Sequence, residues 1–368
     1  MKILVTGSNG FIGKNLVEKL NELKNYEIIT IDKENSKEEL VNGVICADFI
    51  FHLAGINRPK NDAEFFEGNT GLTEEIISVL KENNKKTSIL ITSSIQAELD
   101  NAYGKSKKGA EDALLAYGVE SDAKVFIYRL SNVFGKWCRP NYNSAVATFC
   151  HNIATGEEIF ISDPSKEMTL VYIDDVVRNL VNTMNDKNAK LGYITVDVEH
   201  KITLGEIVDL INSFKNSRTD LMIPNMGSEI TKKLYSTYLS YLPEDNFSYP
   251  LKMNVDSRGS FTEVLKTADR GQVSINISKP GITKGNHWHN TKNEKFLVVS
   301  GNGVVRFRKP GSEKIIEYRV SGEKLEVVDI PVGYTHSIVN EGTADMVTLM
   351  WVNEVFNSEV PDTIWLEV

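Results

Sequence analysis

A short apolar run, Ile3–Val5, leads directly into Gly7-Ser8-Asn9-Gly10-Phe11-Ile12-Gly13, and a segment of helical period follows at once. In that segment, Phe11–Leu23, residues Ile12, Leu16, Val17, Leu20 and Leu23 recur on one helical face. Strand, glycine turn and helix in immediate succession constrain the fold more than any other feature of the chain. The glycines permit a tight turn, close approach of an anion to backbone, and packing of the helix on the strand. The helix start supplies aligned N–H donors for a pyrophosphate. Asp32, closing the apolar run Ile28–Ile31, stands where a carboxylate accepts from the hydroxyls of a dinucleotide ribose. A carboxylate there repels a 2′-phosphate and points to NAD, whereas Lys33 beside it can offset that charge and admit NADP. Both cofactors stay open at this point.

Apolar runs recur at Phe49–Leu53, Ser88–Thr92 and Val125–Leu130, and helical stretches around Glu64–Lys81 and Lys105–Ala116 separate the later ones. Alternation of this kind predicts an α/β, Rossmann-like, doubly wound parallel sheet. Tyr103 and Lys107 stand four apart, on one helical face one turn apart. A phenol is a poor proton-transfer group at neutral pH, and a neighbouring ammonium is expected to lower its pKa by favouring the phenolate. The pair can then move the proton that accompanies hydride transfer at a carbonyl. Thr92-Ser93-Ser94, ending the preceding strand, offers a hydroxyl to the same carbonyl oxygen.

With these pieces in place, residues 1 to about 240 resemble an extended short-chain dehydrogenase/reductase. The resemblance rests on Thr6–Gly13, His52-Leu53-Ala54-Gly55, Asn69, Ser93-Ser94, Tyr103 with Lys107, Tyr128–Gly135 and Val171–Val176. It implies that Ser94, Tyr103 and Lys107 are catalytic, that Lys107 also holds the nicotinamide ribose, and that Asn69 supports the proton relay. It further implies that Gly7, Gly10, Phe11, Ile12, Gly13, Asp32, Lys33, Leu53, Ala54, Asn69, Tyr103 and Lys107 bind the dinucleotide. The substrates it suggests are sugars carried on nucleoside diphosphates. Only about 16 residues separate Asp32 from the next strand, and the family's motif for the adenine side is not visible there.

The character changes near residue 245, where Tyr241–Tyr249 and Pro250 read as a linker. Beyond it, short alternating runs punctuated by Gly and Pro predict an all-β sandwich or small barrel. The expected domains are therefore 1–243 and 250–368. In the second, His287, His289, Glu294 and His336 form the notable constellation. Two residues apart on a strand, His287 and His289 share a face. Three nitrogens and one carboxylate suit zinc or another divalent transition metal. The patterns Gly281-x5-His287-x-His289-x4-Glu294-x6-Gly301 and Pro331-x-Gly333-x2-His336-x3-Asn340 resemble the cupin motifs. Asp256–Glu263 resembles the entry strand of the sugar-nucleotide epimerases among cupins. Tyr334 and Lys295 are candidates for an epimerase base.

A proton beside a ketone can be abstracted, and one beside an alcohol cannot in practice. An epimerase followed by a reductase on one chain therefore makes chemical sense. This domain order resembles the bifunctional enzymes of capsular polysaccharide synthesis. That resemblance implies C3 epimerisation of a UDP-4-keto-6-deoxy-N-acetylhexosamine, then NADPH-dependent C4 reduction to UDP-2-acetamido-2,6-dideoxy-L-talose. NADH is possible in place of NADPH, and the product lies on the route to UDP-N-acetyl-L-fucosamine. Zinc and a homodimer are also implied. The alternative is an NAD-dependent nucleotide-sugar epimerase or dehydratase, with the cupin serving as a dimerisation module.

Composition narrows the partners. A net charge of −9 argues against duplex nucleic acid, whose phosphates require a basic surface. There is no apolar run of about 18 residues, so no membrane span is expected. The three cysteines, Cys46, Cys138 and Cys150, show no metal or redox spacing and read as reduced thiols of a cytoplasmic protein.

Overall fold

The structure, a computed structural model, describes residues 1–368. It divides into two compact units: Met1–Ile211 with Lys233–Leu242, and Asn212–Lys232 with Pro243–Val368.

In the first unit, strands β1 (Lys2–Thr6), β2 (Glu27–Ile31), β3 (Phe49–His52), β4 (Ser88–Ser94) and β5 (Val125–Leu130) form a parallel sheet. Their side chains alternate between two cores, as a doubly covered sheet demands. Leu4, Ile50, Ile89 and Ile91 face one side, against helices α2 (Lys37–Cys46), α4 (Leu72–Glu82) and α5 (Ala102–Ser121). Ile3, Val5, Phe49, Phe51 and Leu90 face the other, against α1 (Phe11–Leu23) and α7 (Ile173–Asn185). Ser36 starts α2 with a reciprocal capping box to Glu39, which ends the turn after β2.

Strands β6 (Asn132–Phe134), β7 (Glu167–Tyr172) and β9 (His200–Thr203) make a small separate sheet, and β8 (Gly192–Ile194) extends the main one. The main order is β2-β1-β3-β4-β5-β8. The chain thus moves outward from β1 to β2, then returns past β1 to β3. No further strand lies beyond β2, in keeping with the short stretch after Asp32. This is the 2-1-3-4-5 order of doubly wound folds, and its switch point, between β1 and β3, is where ligands bind. Short α3 (Asp62–Phe65), a π-helical turn at Phe66–Gly71 and α6 (Ala145–Thr155) complete the unit; α8 (Leu204–Asp220) and α9 (Glu229–Leu239) follow.

The second unit is all β apart from its helical segments. One antiparallel sheet contains β10 (Met253–Asp256), β11 (Gly259–Thr267), β12 (Gly271–Ser278), β14 (Glu294–Ser300), β17 (Val327–Ile330) and β19 (Met346–Val352). The other contains β13 (Thr283–Trp288), β15 (Asn302–Arg308), β16 (Ile315–Ser321), β18 (Thr335–Asn340) and β20 (Ile364–Trp365). This is a cupin-like architecture. Phe296, Val298, Val305, Phe307, Val320, Val328, Ile330 and Ile338 fill one region of its core. Along β12, however, the buried positions Gln272, Ser274, Asn276 and Ser278 are all polar. They are satisfied in pairs, Gln272 Nε2 donating to Ser274 Oγ and Asn276 Nδ2 to Ser278 Oγ, each at 3.1 Å.

Candidate functional site

The glycine turn lies at the switch point. Gly7 has φ +68°, and a Cβ there would stand 2.7 Å from the backbone of Ala54, so the turns after β1 and β3 touch. Helix α1 begins at Gly10 with no side-chain cap and no acidic residue in its first turn, leaving its N–H groups for a ligand. A cavity of about 830 Å3 opens over this turn and is lined by Gly7, Gly10, Phe11, Ile12, Gly13 and Leu53. Ser94, Tyr103 and Lys107 line the same cavity.

The other residues expected around the dinucleotide, Asp32, Lys33, Ala54 and Asn69, do not line this cavity. Asp32 accepts from the backbone N–H of Asn9 at 2.8 Å and that of Lys33 at 2.9 Å, bracing the glycine turn. The Lys33 ammonium is solvated, 3.5 Å from Glu34. The Ala54 N–H donates to Thr6 Oγ1 at 3.3 Å. Asn69 is buried on the π-helical turn, its Oδ1 accepting from the Ile56 N–H at 2.9 Å and its Nδ2 donating to Ser106 Oγ at 2.9 Å. Ser106 in turn donates to the Tyr103 carbonyl at 2.8 Å, so Asn69 fixes the turn of α5 that carries the phenol.

The local electrostatics differ from the expectation for Tyr103. Burial pushes its phenol above the usual range, and the Ser94 hydroxyl pulls the other way. Lys107 is not among the causes. Its Nζ donates instead to the Thr92 carbonyl at 2.9 Å, and burial lowers it to about 8 although Glu111 opposes the shift. Sequence reasoning missed Glu111, fully buried one turn beyond Lys107. It accepts from Ser93 Oγ at 2.6 Å and from Arg129 Nη2 at 2.6 Å, while Arg129 also reaches Glu98 at 2.6 Å. The network ties the strand that ends at Ser94 to the helix bearing Tyr103. A glutamate at i+4 from the lysine was the available signal.

In the β unit, His287, His289, Glu294 and His336 meet, their ligand atoms all within 4.8 Å of one another. His287 and His336 are register partners on β13 and β18, and Glu294 opens β14 of the opposite sheet. A bulge at Gly285-Asn286 makes this possible. Gly285 has φ +101° and packs so closely on β18 that a Cβ would stand 2.7 Å from the His336 carbonyl. The bulge turns His287 toward the cavity that Lys284 also lines. Burial, then the neighbouring His336 and His289, push the His287 imidazole down to about 4. Burial pushes the Glu294 carboxyl up, but the facing His289 and His336 rings outweigh it and leave it at about 2.

The donor set fits a divalent transition metal. Nε2 of His289 and Oε2 of Glu294 are buried without a well-formed hydrogen bond, and His336 Nε2 crowds to 3.0 Å from that oxygen, an arrangement that is costly unless a cation sits among them. Behind them, His289 Nδ1 donates to the Asp362 carbonyl at 2.5 Å, which leaves the Nε2 lone pair facing the cluster. The Asp362 carboxylate accepts from the N–H groups of Asn290 and Thr291 at 3.0 and 2.8 Å. Asp362 lies 73 residues from His289, beyond any spacing rule. A second cavity of about 1200 Å3 is lined by His287, His289 and Glu294 together with Lys266, Gln272 and Lys292.

The two candidate bases lie elsewhere. Lys295 follows Glu294 on a strand and so points the opposite way, to an exposed ion pair with Asp329. Tyr334 packs its ring edge-on against Phe307 under the Lys309 ammonium.

A glycine turn with Ser, Tyr and Lys in one unit, and a His/Glu cluster in a β unit, give the chain two candidate sites. The chain belongs to the NAD dependent epimerase/dehydratase family, which matches residues 3–197, and a polysaccharide biosynthesis C-terminal domain matches residues 254–364. Over its whole length it is similar to the capsular polysaccharide assembling protein CapF from Staphylococcus aureus. The two are 56% identical over 100% of both chains, with a TM-score of 0.95. A UDP-2-acetamido-2,6-beta-L-arabino-hexul-4-ose reductase from Pseudomonas aeruginosa is 48% identical, covering 99% of this chain and 98% of that protein. A UDP-glucuronic acid 4-epimerase from Bacillus cereus, solved with NAD, shares the fold at 18% identity over 66% of this chain and 98% of that one, TM-score 0.56. This chain is accordingly an oxidoreductase/epimerase of the nucleotide-sugar class. No helix is long and apolar enough to cross a membrane.

Proposed function

We propose that the β unit inverts C3 of a UDP-4-keto-6-deoxy-N-acetylhexosamine and that the first unit then reduces the C4 ketone with NADPH. The product is UDP-2-acetamido-2,6-dideoxy-L-talose, made for capsular polysaccharide. The observation that carries this reading is the presence of both sites on one chain: Ser94, Tyr103 and Lys107 in one cavity, and His287, His289, Glu294 and His336 converging in another. The name of the 48%-identical relative, a hexul-4-ose reductase, supports C4 as the reduced carbon.

The order follows from acidity. A C3 proton can be removed only while C4 is a ketone, so inversion precedes reduction. When bound, a reduced nicotinamide supplies the hydride, and zinc or another divalent cation supplies positive charge for the carbonyl oxygen. His287, His289, Glu294 and His336 would hold that cation. In the reductase cavity, Ser94 orients the C4 oxygen by hydrogen bonding and Tyr103 donates the proton that makes it an alcohol. Burial favours this direction, because a phenol with a raised pKa enters the reaction protonated. Lys107, held by Thr92, carries a positive charge in the same cavity below about pH 8 and positions the nicotinamide ribose. Asp32 and Lys33 frame the adenine side, and the solvated Lys33 is the group available to a 2′-phosphate. The active form we propose is a homodimer.

The test is incubation with the 4-keto sugar nucleotide and NADPH in deuterated water, followed by NMR. Deuterium at C3, an alcohol at C4 and stoichiometric NADPH oxidation are expected. Purified protein that carries tightly held NAD and leaves added NADPH untouched would instead favour an epimerase or dehydratase with a dimerisation barrel.

A further inference from the structure

Ten arginines occur in the chain. Eight of them donate to a carboxylate or a carbonyl: Arg129, Arg178, Arg218, Arg258, Arg270, Arg306, Arg308 and Arg319. The other two, Arg58 and Arg139, have no carboxylate within 4.0 Å and no hydrogen-bond partner, and both gather on one ring. The Arg58 guanidinium lies 5.3 Å from the centre of Tyr142, and that of Arg139 lies 5.2 Å from it. Arg139 and Tyr142 line the same cavity as Ser94 and Tyr103. Arg58 comes from the loop after β3, next to Asn57, which lines that cavity too.

Two like charges brought to one phenol, in a chain of net charge −9 with acidic partners to spare, call for an anion between them. The ring face holds each guanidinium by cation–π attraction and leaves its N–H fork free. Such forks match phosphate oxygens two at a time. Two forks at one ring suit a ligand with two adjacent phosphates. The dinucleotide has its own anion site in the Gly7–Gly13 turn, so the second diphosphate is that of the other reactant. Trp137, in the same loop, stands on the cavity with φ +68°, a conformation that a bulky residue adopts only where surroundings impose it.

We propose that Arg58 and Arg139, held against Tyr142, clamp the diphosphate of the sugar nucleotide in the reductase cavity. The inference rests on the reading that the first unit reduces a nucleoside-diphosphate sugar, and it adds the residues that hold that substrate's charge.

The experiment uses full-length, metal-loaded enzyme carrying Arg58→Ala, Arg139→Ala or both, with the lysine replacements as controls for charge and folding. KM for the keto sugar nucleotide is expected to rise about tenfold in each single alanine variant and further in the double, the loss of one charge-assisted contact each. The lysine variants should fall between wild type and alanine, while KM for NADPH and C3 deuterium exchange stay near wild type. An unchanged sugar-nucleotide KM overturns the clamp. So does a rise in KM for NADPH alone, which would assign the arginines to the dinucleotide. Should wild-type enzyme oxidise no NADPH with the keto sugar, the proposed reaction fails on its own account, and calorimetric titration with UDP decides the clamp. Loss of UDP binding in the double variant supports it, and a titration identical to wild type overturns it.

Discussion

A phenol that hands over a proton at neutral pH must keep that proton until the reacting oxygen needs it. Tyr103 meets this requirement by burial, with Ser94 as the moderating contact, while Lys107 is anchored on Thr92 rather than aimed at the phenol. Tyr103→Phe should therefore lower NADPH oxidation by roughly 10²–10⁴-fold, the span of general acid catalysis, and leave C3 deuterium exchange intact. Loss of both activities together would sink the division of labour. The pH dependence has a definite sign. Lys107 is charged below about 8 and neutral above it, so the kcat/KM of reduction should fall as pH rises through that value. In Lys107→Met that limb should vanish from the pH profile. The placement of Tyr103 and Lys107 in one cavity was legible because they stand four apart on one helix. What spacing could not give was the direction of the phenol's shift, since that depends on burial contributed by the rest of the cavity.

At the scale of elements, the His/Glu cluster depends on a strand that is deliberately irregular. The bulge at Gly285-Asn286 re-aims His287, and the segment around Asp362 holds the loop bearing His289. Asp362→Ala should weaken metal retention about 10–100-fold in a chelator competition while leaving far-UV circular dichroism unchanged. Metal affinity equal to wild type would show that the carboxylate serves the loop alone. The four clustered residues were visible as a motif because three of them fall within eight positions of one another. Asp362 was not, because pairing between distant segments leaves no periodic trace. Lys295 illustrates the reverse error. Its neighbour in sequence is in the cluster, yet strand alternation places its own side chain on the far face.

For the whole molecule, each site draws its residues from a single unit: Ser94, Tyr103 and Lys107 from the first, the four clustered residues from the second. A mixture of Tyr103→Phe and His336→Ala proteins, each unable to complete the sequence alone, should therefore regain NADPH oxidation, with a lag that shortens as protein concentration rises. A mixture as inactive as its parts would mean that the intermediate never leaves one assembly. Both fold classes were legible from periodicity, since strand–helix alternation and closely spaced short strands differ along the whole chain. The segment Asn212–Lys232, which groups with the β unit, was not, because helical period says nothing about which core a helix joins. The strand order of the main sheet carries a last consequence. With β2 at the edge of the sheet, no further strand backs the adenine end of a dinucleotide. On the proposed reduction, such a ligand is expected to have a short residence time. It comes and goes with each turnover, as befits a co-substrate that must leave oxidised, whereas an enzyme that recycles one dinucleotide in place needs it enclosed. Gel filtration should strip the cofactor from this protein within a single passage.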